Sequence, residues 1–145
     1  MTYNFQVVVD STDPHTQADW WAETLGWQVE PSDEAMIRDL VGRGLAKEED
    51  TKTHNGVLVW AIGAGIRHPD PLPNGRPQRV LFQIVPEAKT VKNRVHLDVW
   101  VGDEQREAER DKLVARGAAY QSSHSQGPFS WFVMTDPEGN EFCLS

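Results

Sequence analysis

The sequence contains the same order of structural elements twice, and this internal repeat constrains the fold more strongly than any single segment does. In each half, a β-branched run of strand length is followed by a helical segment that ends at a glycine. Gln6 in the first run lies 20 residues before Gly26, and His96 in the second run lies 21 residues before Gly117. Three short strand-like segments follow each helix. The repeat therefore predicts two modules of the type βαβββ.

These elements predict an α+β fold in which the two modules form a curved, mixed eight-stranded sheet around a cleft, with the helices on the outside. We expect a single domain over 1–145, with module 1 over about 1–88 and module 2 over about 89–145. The expected strands are 4–10, 27–30, 56–62, 79–85, 94–101, 118–121, 130–135 and 141–145.

The helix boundaries have recognisable signals. Asp13 and Pro14 favour a helix start, because aspartate accepts hydrogen bonds from first-turn amides and proline tolerates the first helical position. Asp103 is expected to cap the second helix in the same way, over 103–116.

Three segments lie outside the repeat. Residues 34–45 have the apolar spacing of a short helix, and 45–56 are polar enough to predict a loop. Residues 34–55 are a candidate insertion. Residues 66–77 contain four prolines, which cannot donate to a sheet ladder, so we expect a long irregular loop that is either a lid or a crossover.

Composition excludes several classes of protein. The 145 residues include 14 Lys and Arg against 22 Asp and Glu, a net charge of −8 that disfavours binding to a phosphate backbone. A single cysteine, Cys143, excludes an intramolecular disulfide and cysteine-rich zinc sites. The sequence has neither a signal-peptide pattern nor an apolar run of about 20 residues. We therefore expect a cytoplasmic protein without nucleic-acid or membrane partners.

Side chains alternate across a strand, and this sorts the predicted strands into an apolar and a polar face. The apolar face includes Phe5, Val7, Val9, Val95, Leu97 and Val99. The polar face carries Gln6, Asp10, Gln83, His96, Asp98, Trp100, Glu141 and Cys143. Because unpaired polar groups are costly to bury without water, we expect this face to line a wet or ligand-filled concavity. An ordinary solvent-exposed sheet face is the alternative.

The chain resembles a known family in its βαβββ repeat and in two segments. These segments are KTVKNRVHLDVWV at 89–101 and DPEGNEFCLS at 136–145. The chain resembles the glyoxalase-like branch of the vicinal oxygen chelate superfamily. That superfamily includes glyoxalase I, extradiol dioxygenases, epimerases and the bleomycin- and fosfomycin-resistance proteins. The resemblance covers nearly the whole chain.

The resemblance implies metal-ligand positions at Gln6, Gln83, His96 and Cys143. Enzymes of the glyoxalase I type have carboxylates at the two last-strand positions, where this chain has Gln83 and Cys143. A glutamine amide takes up no proton near neutral pH and is a weak ligand. The glyoxalase I reaction is therefore not expected and no cofactor is favoured, with a divalent metal as the alternative.

Two functions follow from the resemblance. The first is binding of a small organic molecule in the cleft, with Gln6, Gln83, His96, Trp100 and Cys143 as the binding residues. The alternative is a metal-dependent enzyme of the lyase, isomerase or dioxygenase type, with His96, Asp98 and Glu141 as catalytic candidates. A domain that serves only as an interaction partner is a third interpretation.

Simpler interpretations stand beside these roles: an inert buried thiol for Cys143, an arginine partner for Asp98, and an exposed strand-end carboxylate for Glu141. Homodimers are common in the family, so we expect a homodimer, with Trp20 of the first helix facing the partner subunit.

Overall fold

Each half of the chain builds its own four-stranded mixed sheet. The computed structural model describes residues 3–73 and 75–145, and the chain divides into a first unit, Met1–Pro86, and a second unit, Glu87–Ser145. The described residues contain three α-helices, and none of them is long and apolar enough to cross a membrane.

The described residues of the first unit form six strands and two α-helices. In chain order these are β1 (Val7–Ser11), α1 (Pro14–Leu25), β2 (Gln28–Val29), α2 (Glu34–Gly42), β3 (Thr51–His54), β4 (Val57–Trp60), β5 (Gly63–Pro71) and β6 (Pro77–Ile84). The strand order of the main sheet is β1-β6-β5-β2. In this sheet β1 runs parallel to β6, and the other neighbours are antiparallel.

The second unit repeats this topology. Its elements are β7 (Leu97–Val99), α3 (Arg106–Ala115), β8 (Ala119–Gln126), β9 (Phe129–Thr135) and β10 (Glu141–Leu144). The strand order is β7-β10-β9-β8, again with one parallel pair, β7 with β10. The predicted α+β fold with two βαβββ modules is confirmed, and its eight module strands form one four-stranded sheet in each unit.

Helix α1 begins and ends as its sequence predicts. The Asp13 side chain accepts a hydrogen bond from the Thr16 amide, and Gly26 ends the helix in the left-handed conformation with a φ of 66°. The buried face of α1 includes Ala18 and Trp21. The expectation that Trp20 faces a partner subunit is wrong, because Trp20 is itself buried, with its ring edge-on to Trp21.

The predicted loop at 45–56 is wrong, because these residues form a short 3₁₀ turn and most of a β-hairpin, β3–β4, inserted with α2 between β2 and β5. Asn55 and Gly56 form the hairpin turn, with φ values of 49° and 81°. Two successive positive φ values produce the tight turn that matches the twist of paired strands. The hairpin therefore follows from an Asn-Gly signal in the sequence.

The predicted irregular loop at 66–77 is also wrong over most of its length. β5 extends to Pro71 and β6 begins at Pro77, and these two prolines lie opposite each other at the end of the ladder. The register shifts between Arg67 and Pro71, as at a bulge, where a proline is tolerated without a ladder hydrogen bond. Just after β5, the Leu72 amide donates a hydrogen bond to the Arg76 carbonyl oxygen at 2.7 Å.

The predicted strand at 94–101 shortens to β7, because β10 pairs only with Leu97–Val99. Beyond it, the Val101 amide donates to the Ser145 carbonyl at 2.6 Å. Asp103 does not cap α3, which begins after Gln105 without a side-chain cap. The Asp103 carboxylate instead accepts from Arg106 Nη1 at 2.6 Å.

The cores follow the alternation of the strands. In the first unit Phe82 and Ile66 are buried, and in the second unit Phe142, Leu144 and Met134 are buried. Phe5 and Val95, which were predicted on the apolar face, are 88% and 76% exposed, because they precede β1 and β7 and lie outside the sheets.

The turn that leads into β10 is organised by a buried carboxylate. Asp136 is 3% exposed, and its Oδ1 accepts from the amides of Glu138 and Asn140 at 3.0 and 2.9 Å. Its Oδ2 accepts from Asn140 Nδ2 at 3.0 Å. The Asp136 carboxylate therefore accepts hydrogen bonds from the donors of the turn immediately before β10.

Asp136→Ala is expected to lower the free energy of unfolding by about 2–4 kcal/mol, because half-buried donors of the turn lose the carboxylate that accepts their hydrogen bonds. Asp111→Ala is the matched control, since Asp111 is an exposed aspartate paired with Arg110 at 2.9 Å. Asp111→Ala is expected to lower the free energy of unfolding by about 0–1 kcal/mol. Urea denaturation at pH 7 measures both values, and equal costs would contradict the role assigned to Asp136.

Candidate functional site

The polar face of the second sheet is organised by its central strand, β10. Phe142 and Leu144 point into the core, so Glu141 and Cys143 point to the opposite face. Cys143 lies in register with Asp98 on β7. The pairing of β10 with both neighbours thus gathers polar side chains that are distant in sequence.

A pocket of about 860 Å³ lies over this face, and all of its lining residues belong to the second unit. The predicted residues His96, Asp98, Trp100, Glu141 and Cys143 line it together. Gln6 and Gln83 belong to the first unit and are not among its lining residues.

One side of the pocket is aromatic. Trp100 is 84% exposed, and Phe129 is also exposed. Trp131 stacks on His124 with ring centroids 5.9 Å apart and an interplanar angle of 18°. A large apolar surface is therefore available to a flat ligand.

A second part of the lining is a cluster of His96, Asp98 and Cys143. His96 Nε2 lies 3.4 Å from Asp98 Oδ1, and the ligand atoms of all three residues lie within 4.8 Å of one another. Burial, and then the negative charge of Asp98 and a hydrogen bond to it, raise the pKa of the Cys143 thiol. Cys143 is therefore a protonated thiol rather than a reactive thiolate at neutral pH.

Glu141 is not the exposed strand-end carboxylate of the simpler interpretation. Its Oε1 accepts from Lys89 Nζ at 3.0 Å, and its Oε2 accepts from the Asn93 amide at 3.1 Å. Burial opposes ionisation, but these hydrogen bonds and the Lys89 charge outweigh it and lower the pKa of Glu141 to about 2. Such a carboxylate is a weak base at neutral pH.

A guanidinium group supports the rim of the pocket. Arg106 donates to Asp103, and it also donates to the carbonyl oxygen of Ser130 at 2.8 Å and to its hydroxyl at 2.6 Å. Its guanidinium carbon lies 5.3 Å from the centre of the Phe132 ring. Asp103 and Ser130 both line the pocket, so Arg106 joins two parts of its wall.

In the first unit, Gln6 is one of the two positions that the resemblance assigns to metal ligands, and its side chain contacts an arginine. Gln6 Oε1 accepts from Arg79 Nη1 at 2.9 Å. Arg79 also makes two hydrogen bonds of 2.7 Å to Glu30, which lower the pKa of Glu30 and raise that of Arg79. A fixed positive charge beside Gln6 disfavours a cation there.

The donors of the second unit suit a metal better than those of the first. Imidazole, carboxylate and thiolate are ligands that Zn²⁺ accepts, and His96, Asp98 and Cys143 supply one of each. Binding would require Cys143 to lose its proton.

Sequence reasoning missed Lys89, His124, Phe129 and Trp131. The strand segment SWFVMT has no clear alternation of polar and apolar residues, so the face of Trp131 was not assignable. No local pattern indicates that Lys89 pairs with Glu141, 52 positions later.

A family model described as a glyoxalase-like domain matches residues 6–145. The chain belongs to the glyoxalase-like domain family. This match confirms the resemblance to the glyoxalase-like branch. A comparison with curated proteins finds no match.

Solved structures similar to this glyoxalase-like protein include the fosfomycin resistance protein FosX from Listeria monocytogenes, with a TM-score of 0.62 and 8% identity over 99% of this chain and 90% of that chain. The bleomycin-binding protein from Streptomyces verticillus, complexed with copper(II)-bleomycin, has a TM-score of 0.53 and 15% identity over 100% and 98% of the two chains. A glyoxalase/bleomycin resistance protein/dioxygenase family enzyme from Burkholderia phytofirmans PsJN has a TM-score of 0.57 and 14% identity over 96% of this chain and 94% of that chain. At these identities the similarity establishes the fold.

The low pKa of Glu141 makes stability depend on pH. The folded pKa of about 2 lies below the ordinary 4.5, so the stabilisation from ionised Glu141 is complete above about pH 4.5 and is lost as the pH falls towards 2. Glu141→Gln should therefore be less stable than the wild type at pH 7, and the difference should narrow at pH 3.

Urea denaturation at the two pH values measures this difference, with Glu107→Gln on the exposed surface of α3 as the control for losing one carboxylate. A difference in the free energy of unfolding between Glu141→Gln and the wild type that is equally large at pH 7 and pH 3 would contradict the low pKa of Glu141.

Proposed function

We propose that this glyoxalase-like protein binds a small planar organic molecule in the pocket of the second unit, without the metal-dependent glyoxalase I reaction. The observation that carries this proposal is the indole of Trp100, which is 84% exposed beside a pocket that has polar groups on β7 and β10. Exposed aromatic surface of this size gains free energy when a ligand covers it.

The arrangement of carboxylates supports binding over glyoxalase I chemistry. That reaction needs a base that takes up a substrate proton near neutral pH. Glu141, the carboxylate nearest to the family's position, is held by Lys89 and has a pKa of about 2. Cys143 occupies the position itself, and the pKa of its thiol is raised.

A structural neighbour gives a precedent for such a role, since the Streptomyces verticillus protein is a bleomycin-binding protein. In this chain we propose Trp100, His96 and Cys143 as binding residues in the second unit. Gln6 and Gln83 of the first unit are proposed as further contacts. The proposal also includes a cytoplasmic, single-domain homodimer, which the exposed aromatic ring of Tyr3 favours.

Binding can be measured by isothermal titration calorimetry at pH 8 with three planar bicyclic probes: uncharged quinoline, cationic 1-methylquinolinium and anionic naphthalene-1-carboxylate. We expect at least one probe to bind the wild type. Trp100→Ala should weaken that binding roughly fivefold to tenfold, because a stacked aromatic pair contributes about 1 kcal/mol.

Phe5→Ala is the control, because Phe5 is an equally exposed aromatic residue in the first unit, and it should leave the affinity unchanged. Trp100 and Phe5 both lie on the surface, so neither change removes core packing. Absence of binding by all three probes, or equal effects of the two variants, would contradict the proposed role of the pocket.

The second candidate function is a metal-dependent enzyme of the lyase, isomerase or dioxygenase type. The observation that favours it is the convergence of His96, Asp98 and Cys143 within 4.8 Å. In this alternative these residues hold a divalent ion, which would supply Lewis-acid activation of a substrate oxygen. Asp98 would also orient the His96 ring, as carboxylates do for metal-bound histidines.

Cobalt(II) distinguishes the two candidates, because thiolate coordination produces a charge-transfer band in the near ultraviolet. The metal-dependent alternative predicts a stoichiometric band that is lost in Cys143→Ser and weakened in His96→Ala, and that strengthens as the pH rises because the thiol must ionise. His124→Ala is the control, since His124 lines the pocket outside the cluster. A spectrum without a thiolate band would remove this alternative.

A further inference from the structure

The carboxylates that line the pocket differ in whether a lysine or arginine pairs with them. Glu141 is neutralised by Lys89, and Asp103 is neutralised by Arg106 at 2.6 Å. Asp98 instead has the imidazole of His96 and the thiol of Cys143 as its neighbours. Among the described side-chain carboxylates of the lining, Asp98 is thus the one with no lysine or arginine partner, and its side chain is 56% exposed.

A cation also lines the pocket, but the described residues show no ion pair between it and Asp98. The Lys92 ammonium instead donates to the carbonyl oxygen of Asn93 at 3.3 Å. The Asp98 carboxylate therefore remains open to a cationic group of a ligand, since its side chain is 56% exposed.

Aromatic faces line the same pocket as this carboxylate. Trp100, Phe129 and Trp131 all belong to the lining, and the rings of Trp100 and Phe129 are largely exposed. The face of an aromatic ring attracts a cation through its quadrupole, and tryptophan attracts it most strongly. A carboxylate without a lysine or arginine partner, in the same pocket as exposed aromatic rings, is the chemistry that recognises an organic cation.

We propose that the ligand of this pocket is a planar organic cation, such as a quaternary or protonated aromatic nitrogen compound, whose charge lies beside Asp98 and whose ring stacks on Trp100. The proposal rests on the proposed binding function and deepens it by naming the class of ligand. It makes Asp98 the residue that determines selectivity for charge, while Trp100 contributes to the affinity for any planar ring.

The test compares 1-methylquinolinium with quinoline at pH 8 by isothermal titration calorimetry, in low-salt buffer with EDTA so that no metal ion occupies Asp98. The two molecules share a bicyclic ring and differ in charge and one methyl group. We expect the wild type to bind the cation roughly tenfold more tightly, and raised salt to weaken only the cation's binding. Naphthalene-1-carboxylate should bind least.

Asp98→Asn keeps the size of the side chain and removes its charge. We expect it to lower the affinity for 1-methylquinolinium roughly fivefold to tenfold and to leave quinoline unchanged. Glu104→Gln is the matched control, because it removes one negative charge from an exposed residue outside the pocket lining. It should preserve the preference for the cation.

The possible results separate the two proposals. If quinoline binds as tightly as 1-methylquinolinium, or if Asp98→Asn and Glu104→Gln have equal effects, the charge selectivity is overturned while pocket binding through Trp100 stands. If the anion binds most tightly, Lys92 rather than Asp98 determines selectivity and the inference is likewise overturned. If no probe binds, the proposed function fails together with the inference.

Discussion

The hydrogen bonding of β10 to two neighbours is the constraint on which the rest of the second unit depends. This strand pairs in parallel with β7 and antiparallel with β9, so its register fixes both sides at once. A shift of one residue would turn Phe142 and Leu144 out of the core and bury Glu141 and Cys143. The buried carboxylate of Asp136 holds the turn that sets where β10 begins.

Once that register is set, charge pairing decides what each polar group can do. Lys89 makes Glu141 a structural anion, and Arg106 engages Asp103 at the rim. Asp98 has no lysine or arginine partner, and burial together with the neighbouring Asp98 carboxylate raises the pKa of the Cys143 thiol. The same residue types would support proton transfer or metal binding with other partners, so chemistry in this fold depends on pairing more than on residue identity.

The repeat and the capping residues of α1 were predictable because they are local patterns, visible within one strand or one helical turn. The hairpin at Asn55 and Gly56 was predictable in principle, but the surrounding polar residues favoured a loop. The strand through 66–71 was not predictable from its prolines, because an end of a ladder and a bulge tolerate them where a central strand does not. Such positions are set by neighbouring strands.

The sequence by itself determined the two βαβββ modules, the alternation that turns Cys143 and Glu141 away from the core, and the absence of family-type carboxylates at Gln83 and Cys143. These are properties of spacing and residue type, which are local. Only the tertiary structure decided that Lys89 pairs with Glu141 and that Arg79 holds Gln6, partners that are 52 and 73 positions apart. Side-chain contacts over such separations depend on strand register and packing, so no periodicity in the chain encodes them.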